Sequence, residues 1–171
     1  MMKTKLAAPL AAVLLALGTA ACSGGSEEAA ETTSPDAPAG ISVTDGRLSL
    51  PAVAGNPGAV YFTIRNVGDK AMTIRAVDVA GAGSAQLHET SEWSGRMDMQ
   101  ELFQVPIEPG AEVVFEQAGK HVMAYDIDES LTEGGETEVT LIFVGGDKVS
   151  FPARVLAPGD MGMDHSEMEG M

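Results

Sequence analysis

Cysteine is nearly absent: Cys22 is the only one in 171 residues. No internal disulfide can form, and no thiolate is available in the body of the chain as a metal ligand or nucleophile. Basic residues are also scarce, with ten Lys and Arg against 25 Asp and Glu and a formal net charge of −15. A protein that grips a phosphate backbone needs a basic face, so a nucleic-acid partner is not expected. Aromatic residues make up only 5 %. The longest apolar run, Leu6 to Leu17, is interrupted by Pro9 and is too short for a comfortable membrane span of about 20 residues. No Ser/His/Asp order, phosphate-binding loop or paired-carboxylate spacing stands out, so the sequence does not read as an enzyme.

What is present divides the chain into four parts. Lys3 and Lys5, the apolar run and the small residues Gly18-Thr19-Ala20-Ala21 read as an export signal over residues 1–21. Loss of that segment removes two lysines and leaves the chain more acidic still. Small residues before Cys22 resemble a bacterial lipobox, although Thr19 stands where Leu, Val or Ile is usual. That resemblance implies cleavage before Cys22 and its lipidation, hence a membrane anchor on the outer face of the cytoplasmic membrane or in the periplasm. Residues 23–40 (SGGSEEAAETTSPDAPAG) are small, acidic and proline-containing, so 22–40 is expected to be a disordered tether.

From Ile41 to Leu156 short β-rich runs alternate with turn signals. Ile41 to Val43 and Arg47 to Val53 flank Asp45-Gly46. Ala59 to Asn66 and Ala71 to Val79 follow, then Ser84 to Thr90 and Arg96 to Leu102 around a polar turn with Gly95. Glu112 to Glu116, His121 to Ile127, Thr137 to Val144 and Lys148 to Leu156 complete the series, the last two around Gly145-Gly146-Asp147. Many short strands without a sustained 3.6-residue period predict an all-β sandwich or barrel over 41–156. One helical turn is allowed around Ile127 to Leu131, and Pro152 places the last run at an edge or a bulge. Val60, Phe62, Ile64, Ile74, Val77, Val113, Phe115, Leu141, Phe143 and Phe151 are the expected core. Residues 157–171 return to low complexity, as a flexible tail.

Two of the three histidines lie in the β region, and both stand near methionine. On a strand, residues i and i+2 share a face, so His121 and Met123 project side by side, as do Met97 and Met99. His88 ends the strand before. Thioether and neutral imidazole together suit Cu(I), whereas Mg²⁺ and Ca²⁺ want oxygen and zinc ordinarily takes Cys, His or carboxylate. A thioether also binds without losing a proton and cannot be trapped as a disulfide. Taken singly, each of these methionines reads equally as core filler and each histidine as a surface residue.

The spacing of His88, Met99, His121 and Met123 (ten, twenty-one and one intervening residues) resembles the signature of the periplasmic copper chaperone family PCu(A)C. Leu87-His88-Glu89-Thr90, Met97-Asp98-Met99 and Gly134-Gly135 before a Leu-Ile-Phe strand add to it. The resemblance spans roughly residues 45–156. It implies a cupredoxin-like Greek-key β-barrel with Cu(I) on His88, Met99, His121 and Met123. It also implies delivery of copper to a client protein, typically the binuclear copper centre of cytochrome oxidase. Glu89 is a candidate partner for an imidazole, and Trp93 and Tyr125 could shield the site.

A second candidate lies in the tail, where Met161, Met163, His165, Met168 and Met171 crowd into the last eleven residues. Such tracts bind metal, and His165 could serve Cu(II). Competing readings divide by class. An electron-transfer blue-copper protein needs a thiolate inside the barrel and is excluded by the lone, upstream Cys22. A copper-buffering or resistance lipoprotein without a dedicated client would use the same ligands, and another copper carrier could replace the oxidase subunit as partner. A purely structural lipoprotein would bind no stoichiometric copper.

Overall fold

The computed structural model describes residues 37–160. The expected signal segment 1–21, Cys22, most of the 22–40 tether and the tail residues Met161, Met163, His165, Met168 and Met171 lie outside the described residues. Within them the chain is all-β, with ten strands: β1 (Ile41–Ser49), β2 (Gly58–Asn66), β3 (Met72–Val79), β4 (Ala82–Trp93), β5 (Arg96–Glu101), β6 (Val105–Ile107), β7 (Glu112–Phe115), β8 (Lys120–Ile127), β9 (Glu136–Phe143) and β10 (Lys148–Leu156). Hydrogen bonding joins them in the order β5-β4-β8-β7-β2-β1-β10-β9-β3-β6, with a further β8–β2 pairing. Neighbours are antiparallel except β1–β10 and β7–β8, which are parallel. This is the cupredoxin-like architecture expected from the sequence.

Alternation sets the inner face of each strand. On β2 every second side chain (Val60, Phe62, Ile64) is fully buried, and on β9 Val139, Leu141 and Phe143 follow the same period. The centre is aromatic: Phe62 stacks on Phe115 with ring centroids 4.2 Å apart and meets Phe151 at 5.0 Å. Nine of the ten expected core residues are buried; Val113 is half-buried and packs against the same cluster. The one buried amide, Asn66, donates to the carbonyls of Lys70 and Ile107 and accepts from the Gly68 amide, so its polar atoms are satisfied.

Two local expectations are corrected and a third is narrowed. Asp45-Gly46 is not a turn between two strands but a bulge inside β1, between Thr44 and Arg47, with Asp45 at φ 57°. Of the two places allowed for Pro152, the edge is excluded, because β10 lies between β9 and β1, and the bulge is met: Pro152 stands beside the bulge of β1, its carbonyl oxygen against Gly46. The segment after Ile127 forms a turn, not a helix: the Leu131 amide bonds the Asp128 carbonyl, and the Ser130 amide is capped by the Asp128 carboxylate.

Candidate metal centre

The site is built by register. The β4–β5 hairpin turns on two residues, Ser94 and Gly95, both with positive φ (53° and 75°), which matches the twist of antiparallel strands. That turn places Thr90 opposite Met99, Glu92 opposite Met97 and His88 opposite Glu101. On its other side β4 pairs with β8, setting His88 opposite His121 and Gln86 opposite Met123. Directly opposed residues share a face, as do residues two apart on one strand. His88, Met99, His121 and Met123 therefore emerge from the same face of three adjacent strands. The opposite face of β4 and β8 carries Leu87, Val122 and Ala124 into the core.

Exposure is graded across the four. His121 is buried at 5 % exposed, His88 and Met123 are half-buried, and Met99 is 51 % exposed. The two imidazoles lie 6.0 Å apart between centroids, tilted by 30°. A metal–imidazole bond is roughly 2 Å, so the gap is of the size one ion between the rings requires. Nδ1 of His121 is 3.0 Å from the Gly119 carbonyl oxygen. That oxygen can only accept, so Nδ1 carries the proton and Nε2 presents a lone pair. Nδ1 of His88 is buried without a hydrogen-bond partner, and Nε2 makes only a long 3.4 Å contact with Gln86. An unsatisfied buried nitrogen is costly unless something binds it. Burial, reinforced by the charge of His121 and opposed by Glu101, holds the His88 ring below its ordinary value of 6.5.

The remaining sequence candidates fall as follows. Glu89 is not an imidazole partner: it projects to the other face and pairs with Lys120 at 2.6 Å, clamping the register beside the two histidines. Tyr125 shares the ligand face two residues beyond Met123, opposite Ser84. Sequence reasoning missed the Gly119 carbonyl and Glu101. Counting outward from a two-residue turn at Ser94-Gly95 would have found Glu101 opposite His88; nothing in the residue type of Gly119 advertises a carbonyl acceptor. Among the described residues no three His, Cys, Asp or Glu side chains gather as a metal site; the imidazole pair shares its face with the thioethers Met99 and Met123 and with Glu101.

The model of the LpqE-like lipoprotein family matches residues 41–155, the whole β domain. The chain belongs to the LpqE-like family. Solved structures similar to this LpqE-like chain include PCuAC domains, in keeping with the resemblance read from the His and Met spacing. The copper-bound PCuAC domain of PmoF2 is 24 % identical, with a TM-score of 0.58 over 70 % of this chain and 94 % of that one. The apo PCuAC domain of PmoF1 is 26 % identical, with a TM-score of 0.57 over 70 % and 95 %. Apo-DR1885 from Deinococcus radiodurans is 18 % identical, with a TM-score of 0.53 over 86 % and 97 %. No curated protein matches the chain.

Proposed function

We propose that this LpqE-like chain is an extracytoplasmic copper carrier that holds one Cu(I) on His88, Met99, His121 and Met123. The observation that carries the reading is the His88–His121 pair, one ring with an orphaned buried nitrogen and the other with its lone pair freed by the Gly119 carbonyl, on a face shared with two thioethers. Copper bound to a PCuAC domain of the same fold supports it. Two neutral nitrogens and two thioethers give a soft, uncharged donor set, which favours Cu(I) over the harder divalent ions. A site that fills its coordination with protein ligands holds or hands over copper rather than turning over a substrate. We assign the anchor to lipidated Cys22 on the outer face of the cytoplasmic membrane or in the periplasm, and the client to an oxidase subunit that receives a binuclear copper centre. A buffering role without a dedicated client rests on the same ligands. The tail cluster around His165 is a secondary site, open to Cu(II).

The test is the Met99→Leu/Met123→Leu double variant. Leucine conserves volume and fold, so the circular dichroism and melting temperature stay as in the wild type while Cu(I) affinity drops about 100-fold. His88→Ala and His121→Ala weaken binding at least as much. Wild-type affinity in the double leucine variant, measured by competition with a Cu(I) chelator, would reject the site.

A further inference from the structure

β4 is longer than the strand that supports it. β8 begins at Lys120, opposite Glu89, and the last bond holding β4 on that side runs from the Thr90 amide to the Gly119 carbonyl. Beyond Thr90, β4 pairs only with β5 as far as Trp93 opposite Arg96. The hairpin therefore projects past the sheet as a two-stranded arm, and β5 is its free edge, with all six residues exposed. Met99 lies at the root of this arm. Met97, one rung farther out on the same face, is 62 % exposed. Moving outward from His121, the candidate donors form a line of rising exposure: His121 buried, His88 half-buried, Met99 and then Met97 open to solvent.

A packing role does not account for Met97. It contacts no core, because its face of the arm carries Glu92 and Thr90 and not the apolar side of the sheet. Two rungs from His88 it is also too far out to join the imidazole pair without letting go of β8, since no β8 residue stands at its level. What the position allows is a second, transient stage. We propose that Met97 is the transfer ligand of the centre: with Met99 it forms a thioether pair on the projecting arm that takes Cu(I) outward for exchange with a soft-ligand acceptor. This rests on the copper-carrier reading of the site.

In the exchange step a Cu(I)–S bond to Met97 forms as the Cu(I)–N bonds to His121 and His88 and the Cu(I)–S bond to Met123 break, and Met99 stays bound throughout. Copper remains Cu(I), so no electron moves. No proton moves either, because a thioether binds without deprotonation and the released imidazoles are neutral. An acceptor then displaces Met97 first, as the most exposed donor. Sequential exchange of this kind avoids bare Cu(I), and it requires the outermost donor to be soft and accessible, as Met97 is.

The experiment uses the full chain loaded with one Cu(I) and mixed with bathocuproine disulfonate as acceptor, in a stopped-flow spectrometer. Met97→Leu should keep the melting temperature, shift the Cu(I) dissociation constant by less than about threefold, and slow the second-order transfer rate at least about tenfold. Met97→His, which restores an exposed copper-binding donor, should recover the rate. Met72→Leu, a thioether removed from β3 away from this face, should transfer like the wild type. Transfer at the wild-type rate in Met97→Leu would overturn the proposal. A loss of equilibrium affinity as large as that of Met99→Leu would overturn it too, by making Met97 a resident ligand. Absence of Cu(I) binding by the wild type would bring down the carrier reading itself, whereas the Met97 outcomes above are read with wild-type binding intact.

Discussion

Nδ1 of His121 donates to the Gly119 carbonyl, two residues back on its own chain. The bond fixes ring orientation and tautomer before any ion arrives, so His121 is the pre-set half of the pair. His88 has no such partner. Its ring is kept neutral by burial first and by the neighbouring imidazole second. The consequence for pH has a definite sign. The unfolded chain protonates His88 near 6.5, while the folded apo protein resists until lower pH. The contribution of this ring to stability is thus intact above 6.5 and is lost as pH falls from there through the folded value. In an NMR titration of the apo protein the His88 ring should change charge below 6.5, and His121→Ala should move it upward by removing one of the two lowering causes. An unshifted His88 in that variant would show that the two rings do not sense each other. At this scale the four candidate donors were legible because their spacing can be read along the sequence. The satisfied and orphaned nitrogens were not, since they depend on backbone carbonyls and burial that residue type does not encode.

Among elements, strands with one buried face were legible from period-two alternation, and the fully exposed β5 was legible from the polar turn with Gly95 that precedes it. β2, β9 and β10 fall within a residue of the expected limits. β6 was missed because three residues are too few to display a period. The Asp45-Gly46 signal was read as a turn because the same residue types serve a bulge, and only the neighbouring strand decides between them. That neighbour leaves a clear mark: a Cβ on Gly46 would lie 2.3 Å from the Pro152 carbonyl oxygen and 2.9 Å from the Phe151 ring. Both obstacles are held in β10, so they cannot swing aside. Gly46→Ala should cost about 1–3 kcal/mol through this overpacking, read as a lower midpoint in urea denaturation. Gly110→Ala is the contrast: a Cβ there meets nothing within 4 Å, and the only cost is its positive φ of 76°. A Gly46→Ala variant as stable as the wild type would mean that β1 does not press against Pro152.

For the molecule as a whole, one row of residues relates the candidate centre to the two ends of the domain. Met123 pairs with Ala59, Ala59 with Ser49, and Ser49 with Leu156. The last residue of β10 thus lies three strands from Met123 in the same row, about 14 Å at the usual strand spacing. Ile41, where the domain begins, pairs with Asn66, seven residues down β2 from Ala59 and so about 23 Å away along the strands. A membrane tether entering at Ile41 would leave the candidate centre at the far end of the domain, turned outward. Deleting 159–171 should leave the Cu(I) site of the β domain intact but lower total copper stoichiometry or slow its loading. Metal titration and loading kinetics check this, with identical behaviour of both forms counting against any role for the tail.

The parallel ladder between β1 and β10 joins Arg47, Leu48 and Ser49 to Arg154, Val155 and Leu156. They belong to the first and last strands of the domain, so among the described residues the ladder closes the largest loop between paired strands. Closure entropy and distant pairing make it a slow event, and it can begin only when residue 156 is free to bond. A chain read as exported crosses the membrane N-terminus first. Its leading strand must then wait, half-paired, for the trailing one, and the domain stays threadable until the final strand has emerged. The topology that joins the two ends of the barrel also sets the earliest moment at which the barrel can exist.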